Sequence, residues 1–486
     1  MNRKSNSVSK EAGIGNRLRN LVSFGGRTDA AQSSVVSWSS TAASLSLDTW
    51  NAIGAESDTN TRLKTLATKV QPLLEKKRFE TITLEALWRS VSDLVAQDEC
   101  AEVLNFLCSL TKFQYPQLGL PLRGLFFATI GQFGPKGELG STVFKWLQTL
   151  TSDGSDAEGF EEELSPLLAL WAKDVLSEHA HTSIFVPDYL EFLQNVIRNN
   201  AAFLEEPDVM ELLALSCAYA CNGDTKYSDV VLCLELVDCV LAYAILPCDS
   251  LPMLVCALCT LFNSGQLTPH CWKLMRSLLS SHLGYSVLGC LCGILEQGAS
   301  ANPVTVVRSA VSFIGLGMWG KERVLDLRHN PSAVLPSFLT VLDCASPIVV
   351  FEIVIVVQRL VNKYGTDLQL ISWTLLLRIL GRILDLLQSE SLCFEMDQHD
   401  KLLQQRFHQV LSRIEELYKV NRFGGSPQML FSVVQRCAAQ RPDQSIRNLL
   451  SYQVQAIHPI KKNWLHNLSN LANTYYAKVK PIFGLM

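Results

Sequence analysis

The stretch TPHCWKLMRSLLSSHLG, residues 268–284, holds two histidines, a cysteine and a tryptophan, and reads either as a metal site or as an ordinary helix. Spacing decides between them, because an α-helix turns 100° and rises about 1.5 Å per residue. Thr268 is placed as an N-cap with Pro269 at the first helical position, and Gly284 as the stop. Between them Cys271, Trp272, Leu274, Met275, Leu278, Leu279, His282 and Leu283 share one half of the wheel, and Lys273, Arg276, Ser277, Ser280 and Ser281 the other. That is a core-facing amphipathic helix. Cys271 and His282 share a face but stand about 16 Å apart along it, whereas zinc ligands lie about 2.0 to 2.3 Å from one ion. His282 is therefore expected to be a satisfied, at least partly buried side chain, and His270 to lie on the polar side.

The same helical period begins near residue 61, where Leu84, Leu87, Trp88, Val91, Leu94 and Val95 fall in register, and continues almost to the C-terminus. Helix starts recur as a capping residue followed by proline: Thr268-Pro269, Asn302-Pro303, Asn330-Pro331, Ser346-Pro347 and Ser426-Pro427. About twenty helices with short connections result, and no alternation lasts long enough to build a sheet. A 486-residue chain exceeds one compact core. Many one-sided helices with no dominant core sequence predict an all-α HEAT- or armadillo-like α-solenoid of stacked pairs, although no crisp repeat consensus is visible. The expected organisation is a mobile Ser-rich arm over 1–60, the solenoid over 61–476 and a short tail over 477–486. Within the arm, GNRLRNLVSFGG reads as a turn or two of basic amphipathic helix.

A net charge of −4 gives no basic face for nucleic acid. Lys76-Lys77-Arg78 and Lys461-Lys462 read as solvated helix ends. The fifteen cysteines are odd in number and follow no signal peptide, which points to a reduced, intracellular protein. The long apolar runs carry Glu235, Asp238, Glu352, Arg378, Arg382 and Asp385, so no transmembrane segment is expected.

Three features invite chemistry. Ten cysteines lie between Cys217 and Cys292, among them Cys256-x-x-Cys259 and Cys290-x-Cys292. A zinc site needs four converging ligands, and Cys290 and Cys292 point about 200° apart on a helix; buried structural thiols are the simpler reading. GLGMWGK, Gly315–Lys321, matches G-x-G-x-x-G with Asp343 downstream, but Asn330-Pro331 interrupts the helix a dinucleotide fold requires. The acidic run 152–164 reads as a solvated loop entering a helix. No catalytic, cofactor-binding or metal-ligating residue is assigned, no cofactor is expected, and partner-binding residues stay unknown.

The stretches CWKLMRSLLSSHLG, EALWRSVSDL, LRGLFF, EEELSPLLALW, LPCDSLP, NPSAVLPSF and RCAAQRPDQSIRNLLSYQVQAIHP together resemble, in colinear order, the N-terminal region of the tuberin family. The resemblance implies a HEAT-type region that engages hamartin, in a cytoplasmic complex, peripheral on endomembranes, that stimulates GTP hydrolysis by the small GTPase Rheb and restrains the TOR kinase. The family's activating domain lies C-terminal to the stretch resembled. This chain is accordingly expected to be a fragment or truncated product that is not itself an enzyme and meets Rheb only indirectly. A helical adaptor of another assembly, such as the Ral GTPase-activating complex, and a zinc- or cysteine-dependent enzyme built on residues 217–292 are the alternatives.

Overall fold

The computed structural model describes residues 59–453, apart from 96–100, 178–183, 329, 345, 389–396 and 439–442. The arm, the tail, GNRLRNLVSFGG and Lys461-Lys462 lie outside the described residues, except that residues 59 and 60 already belong to the first helix. Among the described residues there is no β-strand.

The chain runs through α1 (Thr59–Thr65), a π turn (Leu66–Val70), α2 (Gln71–Leu74), α3 (Thr81–Val95), α4 (Ala101–Gln114), α5 (Leu120–Phe133) and α6 (Gly140–Leu150). It continues through α7 (Glu161–Val175), α8 (Val186–Asn200), α9 (Glu206–Cys221), α10 (Tyr227–Tyr243), α11 (Leu251–Leu261), α12 (Thr268–Ser280) and α13 (Gly284–Ala301). Last come α14 (Val304–Trp319), α15 (Leu335–Val341), α16 (Pro347–Tyr364), α17 (Leu370–Gln388), α18 (Asp397–Lys419) and α19 (Pro427–Ala438).

Each helix has one broad apolar face, and burying it against one neighbour leaves a second flank that needs another. The result is two layers. Even-numbered helices α8, α10, α12, α14, α16 and α18 stack on one another in order, and odd-numbered helices from α7 to α19 do the same. Aromatic rings carry the stacks through the N-terminal part: Phe144 of α6 meets Tyr189 and Phe192 of α8, and Trp88 of α3 meets Phe126 of α5. The layers share a core that includes the fully buried Trp146, Trp171, Trp319 and Trp373. This is the all-α solenoid the sequence predicts.

Consecutive repeats are also joined by polar rungs. Lys173 pairs with Glu211 at 2.8 Å, Lys273 with Asp238 at 2.7 Å and Arg308 with Glu352 at 3.4 Å. The separation in sequence is 35 residues for Lys273 and Asp238 and 51 for Arg436 and Asp385. These rungs mark a repeat of about 40 residues that no consensus displays.

The 268–284 stretch folds as a helix, with four differences from expectation. Thr268 is the first helical residue, and its hydroxyl donates to the carbonyls of Phe262 and Ser264, 3.1 and 3.2 Å away. It serves the orphan carbonyls after α11 rather than capping α12. Gly284 opens α13 rather than ending α12; the chain doubles back so tightly that a Cβ there would lie 2.2 Å from the Leu279 oxygen. His282 is exposed, because α12 has ended at Ser280 and its helical phase no longer applies. Trp272 is only half-buried, at the edge of the apolar face, and its indole N–H donates to Glu322 Oε2 at 3.1 Å.

Candidate interaction edge

In a two-layer stack of alternating helices, all connections from an even to an odd helix emerge along one edge. Those connections share a property. Phe203 after α8, Ile245 after α10, Tyr285 at the start of α13, Leu325 after α14, Ile371 at the start of α17 and Val420 after α18 are large, apolar and exposed, Ile245 to 82% and Leu325 to 72%. A single exposed apolar residue means nothing. A row with one member at every successive connection from α8 to α19 is a candidate interaction surface. Among the described residues the opposite edge carries fewer, including Phe185, Tyr227 and Ile348.

The connection between α14 and α15 is long but tied down. The Val324 N–H donates to Gly317 O at 2.8 Å, and Lys363 Nζ donates to Gly320 O at 2.7 Å. Asn330 Oδ1 accepts from the Ser332 N–H at 3.1 Å and from the Ser372 hydroxyl at 2.8 Å. Of the cap–proline pairs, Asn330 thus caps with its side chain, whereas Ser346 makes no such bond. Beside this connection lies a groove of about 460 Å³ lined by Trp319, Val324, Leu327, Tyr364 and Leu368, with Arg323 5.3 Å above the Tyr364 ring.

The acidic run 152–164 keeps Asp153, Glu158, Glu162 and Glu163 exposed, as a solvated loop would, but it is packed more closely than expected. Thr151, Ala157 and Phe160 are buried, and Gly154 packs at φ +81° against α8, where a Cβ would lie 2.9 Å from Val196 Cγ2. The reason is Arg123, buried at 4% exposure. Its guanidinium meets Asp156 Oδ2 at 3.1 Å and Glu158 Oε2 at 3.7 Å, and also the Tyr115 hydroxyl, which donates to Asp156 at 2.6 Å. Partial burial of Asp156 opposes ionisation, but hydrogen bonds from Tyr115, the Glu158 N–H and Arg123 outweigh it and hold the carboxyl below its ordinary value of 3.8. The run does enter α7 with Glu161, Glu162 and Glu163 in its first turn.

The cysteines gather across α9 to α12, with Cys221 in electrostatic reach of both Cys256 and Cys271. Burial raises the Cys217 and Cys271 thiols to about 12 and Cys221 to about 11. Such groups stay protonated at neutral pH, while ligation and nucleophilic attack need thiolates. Among the described residues no three His, Cys, Asp or Glu side chains are placed to hold one metal ion.

The glycine motif lies at the end of α14, not in a strand-to-helix turn. A Cβ on Gly315 would sit 2.7 Å from Val356 Cγ2 of α16, and one on Gly317 2.9 Å from Leu279 Cδ1 of α12. Asp343 pairs with Arg382 at 3.1 Å. These glycines let three even-layer helices approach, and Trp319 locks the contact by donating to Val356 O at 3.0 Å.

The exposed row escapes a reading of periodicity, because its members sit at helix ends, outside the periodic faces. Apolar residues in connections otherwise rich in turn residues, as in AILPCD and ERVLDL, are the signal that could have found them. Among the described residues no helix is long and apolar enough to cross a membrane.

Residues 59–481 match a family model described as a domain of unknown function, DUF3384. The chain is 25% identical over 259 residues to the tuberous sclerosis 2 protein homolog of Schizosaccharomyces pombe (strain 972 / ATCC 24843), an alignment spanning 49% of this chain and 19% of that protein. A solved structure of the TSC2 N-terminus superposes with a TM-score of 0.65 at 16% identity, covering 81% of this chain and 99% of the other. The fold, on this likeness, is that of a tuberin N-terminal region.

Proposed function

The chain belongs to the DUF3384 family, and from that premise we propose that it is the hamartin-binding scaffold of a tuberin-like GTPase activator. In this reading the solenoid holds the complex together, a domain elsewhere in the tuberin-like protein accelerates GTP hydrolysis by Rheb, and the assembly restrains TOR signalling from the cytoplasm, peripherally on endomembranes. The observation that carries it is the superposition with the TSC2 N-terminus, which covers 99% of that chain and 81% of this one. The apolar row along one edge supports it, since stacked helix pairs offer extended surfaces suited to another helix or coiled coil. Among the described residues no three ligating side chains are placed to hold one metal ion, burial keeps the Cys217 and Cys271 thiols protonated, and the glycine motif is consumed by helix packing.

Two measurements test this. Residues 61–475 and the whole chain are each used to capture hamartin, with circular dichroism as the control for folding; both are expected to bind within a few-fold of each other. A folded 61–475 segment that captures none while the whole chain does places recognition in the arm. GTP hydrolysis by Rheb in the presence of this chain alone is expected to equal the intrinsic rate in a multiple-turnover assay, and stimulation matching the full complex refutes a scaffold-only role.

A further inference from the structure

The edge that bears the apolar row is electrically polar along its length. Its α6–α7, α8–α9 and α10–α11 connections expose Glu162, Glu163, Glu205, Glu206 and Asp249, and residues 151–163, 201–208 and 244–250 contain no lysine, arginine or histidine; the flanking Arg198, in the last turn of α8, donates back to Gln194 Oε1 at 3.0 Å. The α12–α13 connection, Ser281 to Leu283, bears no acid, lysine or arginine. Beyond it the sign reverses. The α14–α15 and α18–α19 connections and their flanks expose Lys321, Arg323, Arg328, Lys419 and Arg422. Fewer acids stand against them: Asp326 and Asp367 are exposed, while Glu322 is turned back onto Arg276 at 3.8 Å and onto the Trp272 indole at 3.1 Å, and the exposed Glu416 is paired with Arg413 at 2.6 Å. The groove of Trp319, Tyr364 and Leu368 opens on this basic half.

We infer that this edge selects and orients one extended amphipathic helix of a partner protein, with apolar side chains along the row, its acidic end against α14–α19 and its basic end against α6–α11. This rests on the reading that the solenoid is a partner-binding scaffold and adds which face is used and in which direction the partner runs. Dimensions fit. Six stacking steps of about 8 to 10 Å separate the α6–α7 connection from α18–α19, roughly 50 to 60 Å, which a helix of about 35 to 40 residues spans. The facing ends of the two charged halves, at α10–α11 and α14–α15, lie two stacking steps of about 8 to 10 Å apart, about two screening lengths at physiological salt, so each end reads chiefly its own half. A reversed helix would set like charge on like at both ends, and that repulsion supplies the orientation.

The test uses the whole chain with paired substitutions at either end, Arg323→Glu with Arg328→Glu and Glu205→Lys with Glu206→Lys, and hamartin as partner. All four positions are exposed, and circular dichroism confirms folding. Each pair is expected to weaken binding about tenfold or more at low ionic strength, the two losses multiplying and both shrinking as salt rises. A photo-crosslinking residue at Leu325 is expected to capture an acidic stretch of the partner, and one at Ile245 a more basic stretch of the same helix. Wild-type affinity and salt slope in both paired variants, or crosslinks in the opposite order, overturn the inference and leave the scaffold reading standing. If the wild-type chain captures no hamartin, that reading fails by itself, and the edge is decided with a synthetic helix of about 40 residues, leucines on one face, glutamates in one half and lysines in the other. Tighter binding than a charge-scrambled peptide of the same composition upholds the inference; equal or weaker binding overturns it.

Discussion

Trp319 is 1% exposed, with its indole N–H on the Val356 carbonyl, so Trp319→Ala removes a fully packed ring and the hydrogen bond it donates, while the Val356 carbonyl keeps its partner within the helix. A loss of about 3 to 5 kcal/mol is expected from denaturant unfolding. Sequence phase alone assigns that loss to Trp272, yet Trp272 is half-buried, stacked 6.4 Å from Phe313, and bonded to an exposed glutamate. Trp272→Ala is expected to cost roughly half as much; equal losses would show that the edge of α12 is as closed as its centre. A second residue-level device is Asp156. Its carboxyl is held below 3.8 in the folded chain, so its stabilisation is present above that pH and is lost as pH falls through the lower folded value. Asp156→Asn is expected to cost about 1.5 to 3 kcal/mol at neutral pH and to flatten the acid limb of the stability profile below about pH 4. An unchanged limb would mean that Arg123 is satisfied by Glu158 and solvent.

At the scale of elements, glycines separate packing from propensity. Gly315 of α14 faces Val356, and a Cβ there would lie 2.7 Å from a branched side chain with little freedom to move. Gly289 of α13 has nothing within 4 Å of that position. Gly315→Ala is therefore expected to destabilise by about 1 to 3 kcal/mol through overpacking, and Gly289→Ala to stabilise by about 0.5 to 1 kcal/mol through helix propensity. Thermal unfolding of the two variants checks both signs. A stabilising Gly315→Ala would mean that α14 and α16 are free to move apart. The same helices show why boundaries are harder to read than faces. Thr268 and Gly284 look like a cap and a stop, but the carbonyls after α11 recruit the Thr268 hydroxyl, and the tight return to α13 uses the space a side chain on Gly284 would fill.

Across the whole molecule, from α7 to α19, contacts connect each helix to the next helix of its own layer. Stability is then close to a sum of local interfaces. Hydrogen exchange on Trp319→Ala is expected to accelerate in α12 to α17 and to stay unchanged in α3 to α8; uniform acceleration would describe one cooperative block instead. Exposed rungs such as Lys273–Asp238 contribute little to this sum, and the buried aromatic contacts carry it.

The all-α class, the number of helices and the buried faces of most of them were set by the sequence, because the side chains of a one-sided helix declare their direction every 3.6 residues. The chemical neutrality of the glycine motif was readable from Asn330-Pro331, which breaks the segment a nucleotide fold needs. What periodicity cannot carry is anything that depends on meeting a residue about 40 positions away. Arg123 drawing Asp156 and Glu158 into a packed loop is such a meeting, as is the fit of Gly315 against Val356. The apolar, charge-graded edge is the largest case. Its residues are scattered singly along the chain at helix ends, each unremarkable alone, and only the stacking of alternating helices sets them in one line.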